Sequence, residues 1–314
     1  MHILIVGAGG IGGYFGGRLL EAGRDVTFLV RPGRAAQLAR DGLVIRSPKG
    51  NAHLLTPPHL LADQLRAPFD LVVLSCKAYD LDSAMDSFAP GVGPDTAILP
   101  LLNGIRHLDT LDARFGPARV LGGECLISTT LDADGRVIHL NDIHELLFGE
   151  KDGARSARVE AIAAEFAGVK FDGRLSEAIL QEMWEKWIFI AAAAGITCLM
   201  RAAIGDIVAA GAAEMPAALF EECAAIAERQ GFPPRQGFLD RTRRMFTAPG
   251  SLLTASMLRD VERGASIEAD QILGDLLRRA GADGSNPASL LRIAVAHVNA
   301  YEARWAREQE GPAG

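Results

Sequence analysis

The chain is poor in cysteine: Cys76, Cys125, Cys198 and Cys223 are widely scattered through 314 residues, with no C-x-x-C pair. That excludes a disulfide framework and a zinc ribbon. Thiols in apolar runs, such as those around Cys76 and Cys198, act as small hydrophobes, so a reducing, cytoplasmic compartment is expected. Excess positive charge is missing too. The formal charge is −7 and no Lys/Arg cluster offsets it, which repels a polyanion and leaves nucleic acid an unexpected partner. The longest apolar run, Trp187 to Met200, has 14 residues, too few to cross a bilayer, so no membrane span is expected. The opening MHILIVGAGG lacks the basic stretch and small-residue cleavage site of a secretory leader. No serine or cysteine stands in a G-x-S-x-G setting, so a hydrolase has no nucleophile to use. His139, Asp142, His144 and Glu145, in HLNDIHE, match neither a zincin helix nor a zinc ribbon, and no metal is expected. There is no internal repeat, and only the terminal EQEGPAG, expected to fray, is of low complexity.

What is present is a globular balance of 49% apolar and 23% charged residues, in a chain long enough for two domains. HILIV (2–6), DVTFLV (25–30), DLVVLSC (70–76) and AILPLL (97–102) are continuous apolar runs, the pattern of parallel strands covered on both faces. Helical spacing falls at 10–22, 34–41, 79–88 and 105–115, so the order reads β-α-β-α. Residues 119–149 predict short antiparallel strands that finish the sheet, with a hairpin turn at Asp134-Gly135. A helix follows at about 153–167, and thereafter the β signal ends. The expected fold is α/β: an N-terminal Rossmann-like doubly wound sheet (residues 1–172) followed by a smaller all-α domain (173–314), with the ligand in the cleft between them.

Residues 7–12, GAGGIG, follow the first strand and open the first helix, where G-x-G-x-x-G has physical meaning. Gly7 permits the tight turn, Gly9 lets backbone approach a pyrophosphate, and Gly12 lets helix and strand pack closely. Ala8, Gly10 and Ile11 complete the loop, whose free N–H groups sit at a positive dipole end. An NAD enzyme carries Asp or Glu after the second strand to bind the ribose 2′-hydroxyl. Here that place reads LVRPGR, and Arg31, with Arg34 behind it, offers guanidinium forks suited to a 2′-phosphate. The expected cofactor is NADP(H).

Hydride addition to a ketone leaves negative charge on oxygen, which calls for a cationic proton donor. Lys186, early in the first helix of the second domain and flanked by Trp184 and Trp187, is the candidate; on spacing alone, a lysine snorkelling from a core helix fits as well. Lys77 and Asn103 close adjacent strands, and open α/β sheets bind ligands outside their carboxyl strand ends.

GAGGIG, the arginine after the second strand, CKAYD, LLNG, MWEKW and SMLRDVERGASIE, in that order and spacing, resemble the ketopantoate reductases (2-dehydropantoate 2-reductases) over nearly the whole chain. The resemblance implies NADPH-dependent reduction of ketopantoate to pantoate, a step of pantothenate biosynthesis. It implies that Lys186 is the general acid, that Asn103 orients lysine, cofactor and substrate, and that Lys77 lies beside the cofactor. Ser256 would bind the substrate carboxylate, and Glu268 would lie at the cofactor and substrate end. Ser256 and Glu268 are expected on two helices joined at RGAS.

The chain departs from the family pattern four and eight residues after the lysine. Where the best-studied members carry asparagines, it has Ile190 and Ala194. A polar substrate loses partners there, and Thr197 is a weak replacement. The expected substrate is a small 2-oxoacid, with a more apolar one than ketopantoate as the alternative and a non-catalytic NADPH sensor as a reading from another class. A homodimer is compatible with the sequence but not specified by it.

Overall fold

The computed structural model describes residues 1–309, in two compact units, Met1–Leu180 and the remainder from Gln181. In the first unit, β1 (Ile3–Val6), α1 (Gly10–Glu21), β2 (Val26–Leu29), α2 (Pro32–Asp41), β3 (Leu43–Arg46), β4 (Ala52–Leu54), β5 (His59–Leu60) and β6 (Leu71–Leu74) come in turn. They are followed by α3 (Leu81–Phe88), β7 (Ala97–Pro100), α4 (Arg106–Phe115), β8 (Gly122–Leu131), β9 (Val137–Gly149), α5 (Ala157–Phe166) and β10 (Asp172–Leu175). β1, β2, β5, β6 and β7 form one parallel sheet in the order β5-β2-β1-β6-β7. β1, β2, β6 and β7 are the expected apolar runs, whereas the two-residue edge strand β5 is not among them; β1, β6 and β7 are buried at every position. The Rossmann-like reading holds.

The strands after residue 119 do not finish that sheet. A single parallel bridge, Ile98 to Val120, touches its edge. The chain then enters a second sheet, in which β9 pairs antiparallel with β8 and parallel with both β3 and β10, while β4 closes the far edge beside β3. The hairpin turn falls where expected. Gly135 has φ +72°, and Asp132 Oδ1 accepts from the Asp134 and Arg136 amides. A boundary at residue 172/173 would cut β10 after its first residue, although the strand pairs with β9 along its length, and the first unit runs on to Leu180.

α1 lies against both sheets. A Cβ at Gly16 would stand 2.6 Å from the Phe28 ring of β2, and one at Gly17 2.7 Å from Ile45 of β3. Small residues on this helix let two sheets share one core, which includes Ile5, Phe28, Ile45, Val137 and Phe148. His139 and His144 are hydrogen-bonded within this unit: His144 Nδ1 meets the Tyr14 hydroxyl at 2.8 Å and His139 Nδ1 the Ser47 hydroxyl at 2.9 Å.

The second unit is helical. It begins in the first turn of α6 (Ile179–Met200) and continues through α7 (Ile204–Ala209), α8 (Glu214–Arg229), α9 (Gln236–Phe246) and α10 (Ser256–Glu262). A π-helical turn (Asp270–Gly274) then runs into α11 (Asp275–Arg279), and α12 (Leu290–Gln309) closes the unit. Glu308 and Gln309 end α12, while the rest of the terminal EQEGPAG lies outside the described residues. α6 is the core helix: every residue from Ala191 to Cys198 is buried, and Gly195 faces Leu219, Ala294 and Leu273. By length and composition α6 could cross a membrane, but 72% of its most apolar stretch is buried inside the protein.

Candidate active site

The first unit builds, from backbone geometry, a glycine turn of the shape a phosphate-binding loop needs. Gly7 (φ +94°) turns the chain at the end of β1, and its amide donates to the Leu29 carbonyl at 2.9 Å. A Cβ on Gly12 would sit 2.1 Å from the Gly7 carbonyl oxygen and 2.3 Å from Ser75 Oγ, whereas one on Gly9 would meet nothing within 4 Å. Gly12 is thus the packing glycine and Gly9 the open approach. Gly10 starts α1 against Thr129, Ala8 is buried, and Ile11 packs on the core. No acidic side chain stands in the first turn of α1, so its N–H groups and dipole face an incoming anion unopposed. These residues fit a dinucleotide's pyrophosphate.

Strand order places the chemistry. From β1 the chain winds outward through β2 to β5, then returns to put β6 on the other side of β1, and ligands of such sheets bind at that reversal. Ser75 stitches the two strand ends together, its hydroxyl donating to the Val6 carbonyl at 3.0 Å. Lys77, exposed, is three residues past β6, and Asn103, half-buried, three residues past β7.

The two arginines after β2 divide their work. Arg34 serves mainly the scaffold: Nε donates to the Ala8 carbonyl at 2.9 Å and Nη1 to the Gly135 carbonyl at 2.7 Å, tying the glycine loop to the hairpin, while its buried Nη2 has no partner. Burial pushes its guanidinium below the usual range. Arg31 is 73% exposed and pairs with Asp80 at 2.7 Å. Asp80 had no signal in the sequence as a neighbour of Arg31, because 49 residues separate them.

The second unit carries the remaining candidates. Lys186, Ile190 and Ala194 follow at four-residue steps on one face of α6; Lys186 and Ile190 are half-buried and Ala194 is buried. The tryptophans beside the lysine hold the helix in place. Trp187 Nε1 donates to the Ile272 carbonyl at 2.9 Å, Trp184 stacks on Phe232, and Arg279 lies over both indoles. Glu185 is an anchor as well, taking Arg235 in a fork of 2.5 and 2.9 Å. Burial alone would raise the Glu185 carboxyl, but the hydrogen bonds from Arg235 outweigh it and hold the group below its ordinary range.

Ser256 is exposed as the first residue of α10, and Glu268 is half-buried just before the π-helical turn, past the left-handed Gly264 in the RGAS link. Thr197 offers no free hydroxyl to a substrate. It donates to the Ala193 carbonyl at 2.7 Å and accepts from the Ala255 amide at 3.4 Å, next to Ser256. Gly7–Gly12, Arg31, Lys77 and Asn103 thus belong to the first unit, and Lys186, Ile190, Ala194, Ser256 and Glu268 to the second.

Two family models match, ketopantoate reductase PanE/ApbA over residues 3–153 and its C-terminal counterpart over residues 178–302. The chain belongs to this family and is an oxidoreductase of its kind. Among its relatives, an uncharacterized oxidoreductase YkpB of Bacillus subtilis is 40% identical over 96% of this chain and 99% of its own length. A crystal structure of 2-dehydropantoate 2-reductase from Geobacter metallireducens superposes with a TM-score of 0.84 at 26% identity, covering 96% of this chain and 99% of that one. A ternary structure of D-mandelate dehydrogenase with NADH and anilino(oxo)acetate superposes with a TM-score of 0.85 at 20% identity, covering 98% and 100%. At that identity the likeness is one of fold, and a fold shared by enzymes named for different substrates does not choose among them.

Proposed function

We propose that the chain is an NADPH-dependent reductase that converts a 2-oxoacid to the 2-hydroxy acid, of the 2-dehydropantoate 2-reductase type. The observation that carries this reading is the phosphate loop with an exposed arginine, and no carboxylate of its own, at the end of β2. Gly7–Gly12 would hold the pyrophosphate, Arg31 the 2′-phosphate, and Lys77 and Glu268 further parts of the cofactor. Bound NADPH supplies the hydride that reaches the substrate's C2. Lys186 holds a proton at the carbonyl oxygen and releases it as charge develops there, a contribution of roughly 10²- to 10⁴-fold. Asn103 orients the lysine and the substrate, and Ser256 takes the carboxylate.

Ile190 and Ala194 favour a second reading, in which the preferred substrate is a more apolar 2-oxoacid. Neither side chain can hydrogen-bond a substrate hydroxyl, and a pocket lacking that partner loses its discrimination for it. A preference for ketopantoate would place the enzyme in pantothenate biosynthesis; a preference for a branched or aromatic oxoacid would mark a paralogue.

The test is NADPH oxidation over a panel of 2-oxoacids including ketopantoate, scored by kcat/KM, with NADH in parallel and Lys186→Ala as control. The expected outcome is turnover with NADPH that falls by orders of magnitude in K186A while NADPH binding survives. No turnover on any oxoacid, with NADPH bound, would instead mark a nucleotide sensor.

A further inference from the structure

Arg31 caps the start of α2, just past β2, and Asp80 stands at the start of α3, just past β6. β2 and β6 flank β1 on opposite sides, so the two strands are about 10 Å apart, two strand spacings. The side chains nevertheless meet at 2.7 Å, with Arg31 73% and Asp80 32% exposed. The pair therefore closes over the strand whose end forms the phosphate loop. The carboxylate's hydrogen bond and charge push the Arg31 guanidinium upward from its ordinary range. Tyr79, next to Asp80 in the chain, is 56% exposed. Arg34 is less open than Arg31: its Nε and Nη1 are tied to the Ala8 and Gly135 carbonyls, and its buried Nη2 alone is left without a partner.

We infer that Asp80 is a specificity-determining residue for the cofactor: it holds the arginine that reads the 2′-phosphate and so lowers the preference for NADPH over NADH. This rests on the reading of Arg31 given above. An incoming 2′-phosphate must take Arg31 from Asp80 and sit near a like charge. A 2′-hydroxyl meets no such opposition, because the carboxylate can accept its hydrogen bond. The chain thus has no acidic residue directly after β2, where NAD enzymes carry one, and Asp80 brings a carboxylate to Arg31 from beyond another strand.

The experiment is calorimetric titration of the full-length protein with NADPH and with NADH, for Asp80→Asn, Asp80→Ala and Arg31→Ala. D80N is expected to lower the NADPH Kd about fivefold, the scale of one exposed ion pair, and to leave the NADH Kd within about twofold; D80A, which also removes the hydrogen-bonding group, should act in the same direction on NADPH. NADPH affinity unchanged or weakened in both Asp80 variants overturns the inference. R31A separates the two readings. If R31A abolishes the NADPH preference while the Asp80 variants do nothing, only the role of Asp80 fails. If R31A leaves the ratio of the two Kd values untouched, Arg31 does not read the phosphate and both readings fail.

Discussion

The two units fix their functional groups by different means. In the first, backbone does most of the work: a left-handed Gly7, a Gly12 with no room for a methyl group and the bare N-terminus of α1 make the phosphate loop. In the second, large side chains set the position of one helix, with Trp187 bonded to the Ile272 carbonyl and Glu185 forked by Arg235 on either side of Lys186. A turn closed by the missing side chain of Gly12 tolerates no addition at that position. A helix held by several contacts degrades by degrees.

That contrast is open to direct attack. The largest effect is expected from Gly12→Val, whose Cβ would meet the Gly7 oxygen at 2.1 Å. NADPH binding should be lost, with Kd raised more than about 100-fold, a scale in keeping with buried backbone displacement. Tryptophan emission should be preserved, because Trp184, Trp187 and Trp305 all belong to the second unit. Emission collapsing together with binding would show that the units do not fail separately.

The next effect runs the other way. Glu185→Ala strips the fork from Arg235, and since Glu185 is buried, the loss is expected to be about 2–3 kcal/mol in denaturant unfolding followed by tryptophan emission. NADPH affinity should be unchanged. The sign with pH follows from the depressed carboxyl. Its stabilisation is complete above the unfolded-state value of 4.5 and is lost as pH falls through the lower folded value. E185Q should therefore flatten the acid limb of the stability curve.

The smallest effect tests the finer positioning in the second unit. Thr197→Val removes the hydroxyl that accepts from the Ala255 amide beside Ser256. It is expected to cost about 1 kcal/mol and to raise KM for the oxoacid severalfold, with kcat and NADPH affinity nearly unmoved. T197S should restore KM. A fall in kcat with unchanged KM would contradict a role through Ser256.

The same contrast explains how much was legible in the sequence. Gly7, Gly9 and Gly12 could be read because a strand, a turn and a helix lie within 20 residues of each other. The parallel strands could be read because burial on both faces makes continuous apolar runs. The second sheet could not. β3 is a four-residue strand whose partner Val137 lies 92 positions beyond Ile45, and no local pattern announces such a pairing, so the sequence points β8 and β9 to the first sheet when they belong to the second. Lys186 stood out as a charge in an apolar helix, but the anchoring by Glu185 and the occupied hydroxyl of Thr197 depend on contacts 50 and 58 residues away. Asp80 lay inside a motif already singled out, yet only the fold brings it to Arg31.

α6 also has a consequence during synthesis. Its apolar surface is covered in part by Ala294 of α12, which leaves the ribosome about 100 residues after Gly195, or some 5–20 s later at ordinary elongation rates. For that interval the apolar helix is made but not yet enclosed. Nascent chains of this protein should therefore depend on helper proteins that shelter hydrophobic segments, and chains that stop before residue 294 should be captured by them or aggregate.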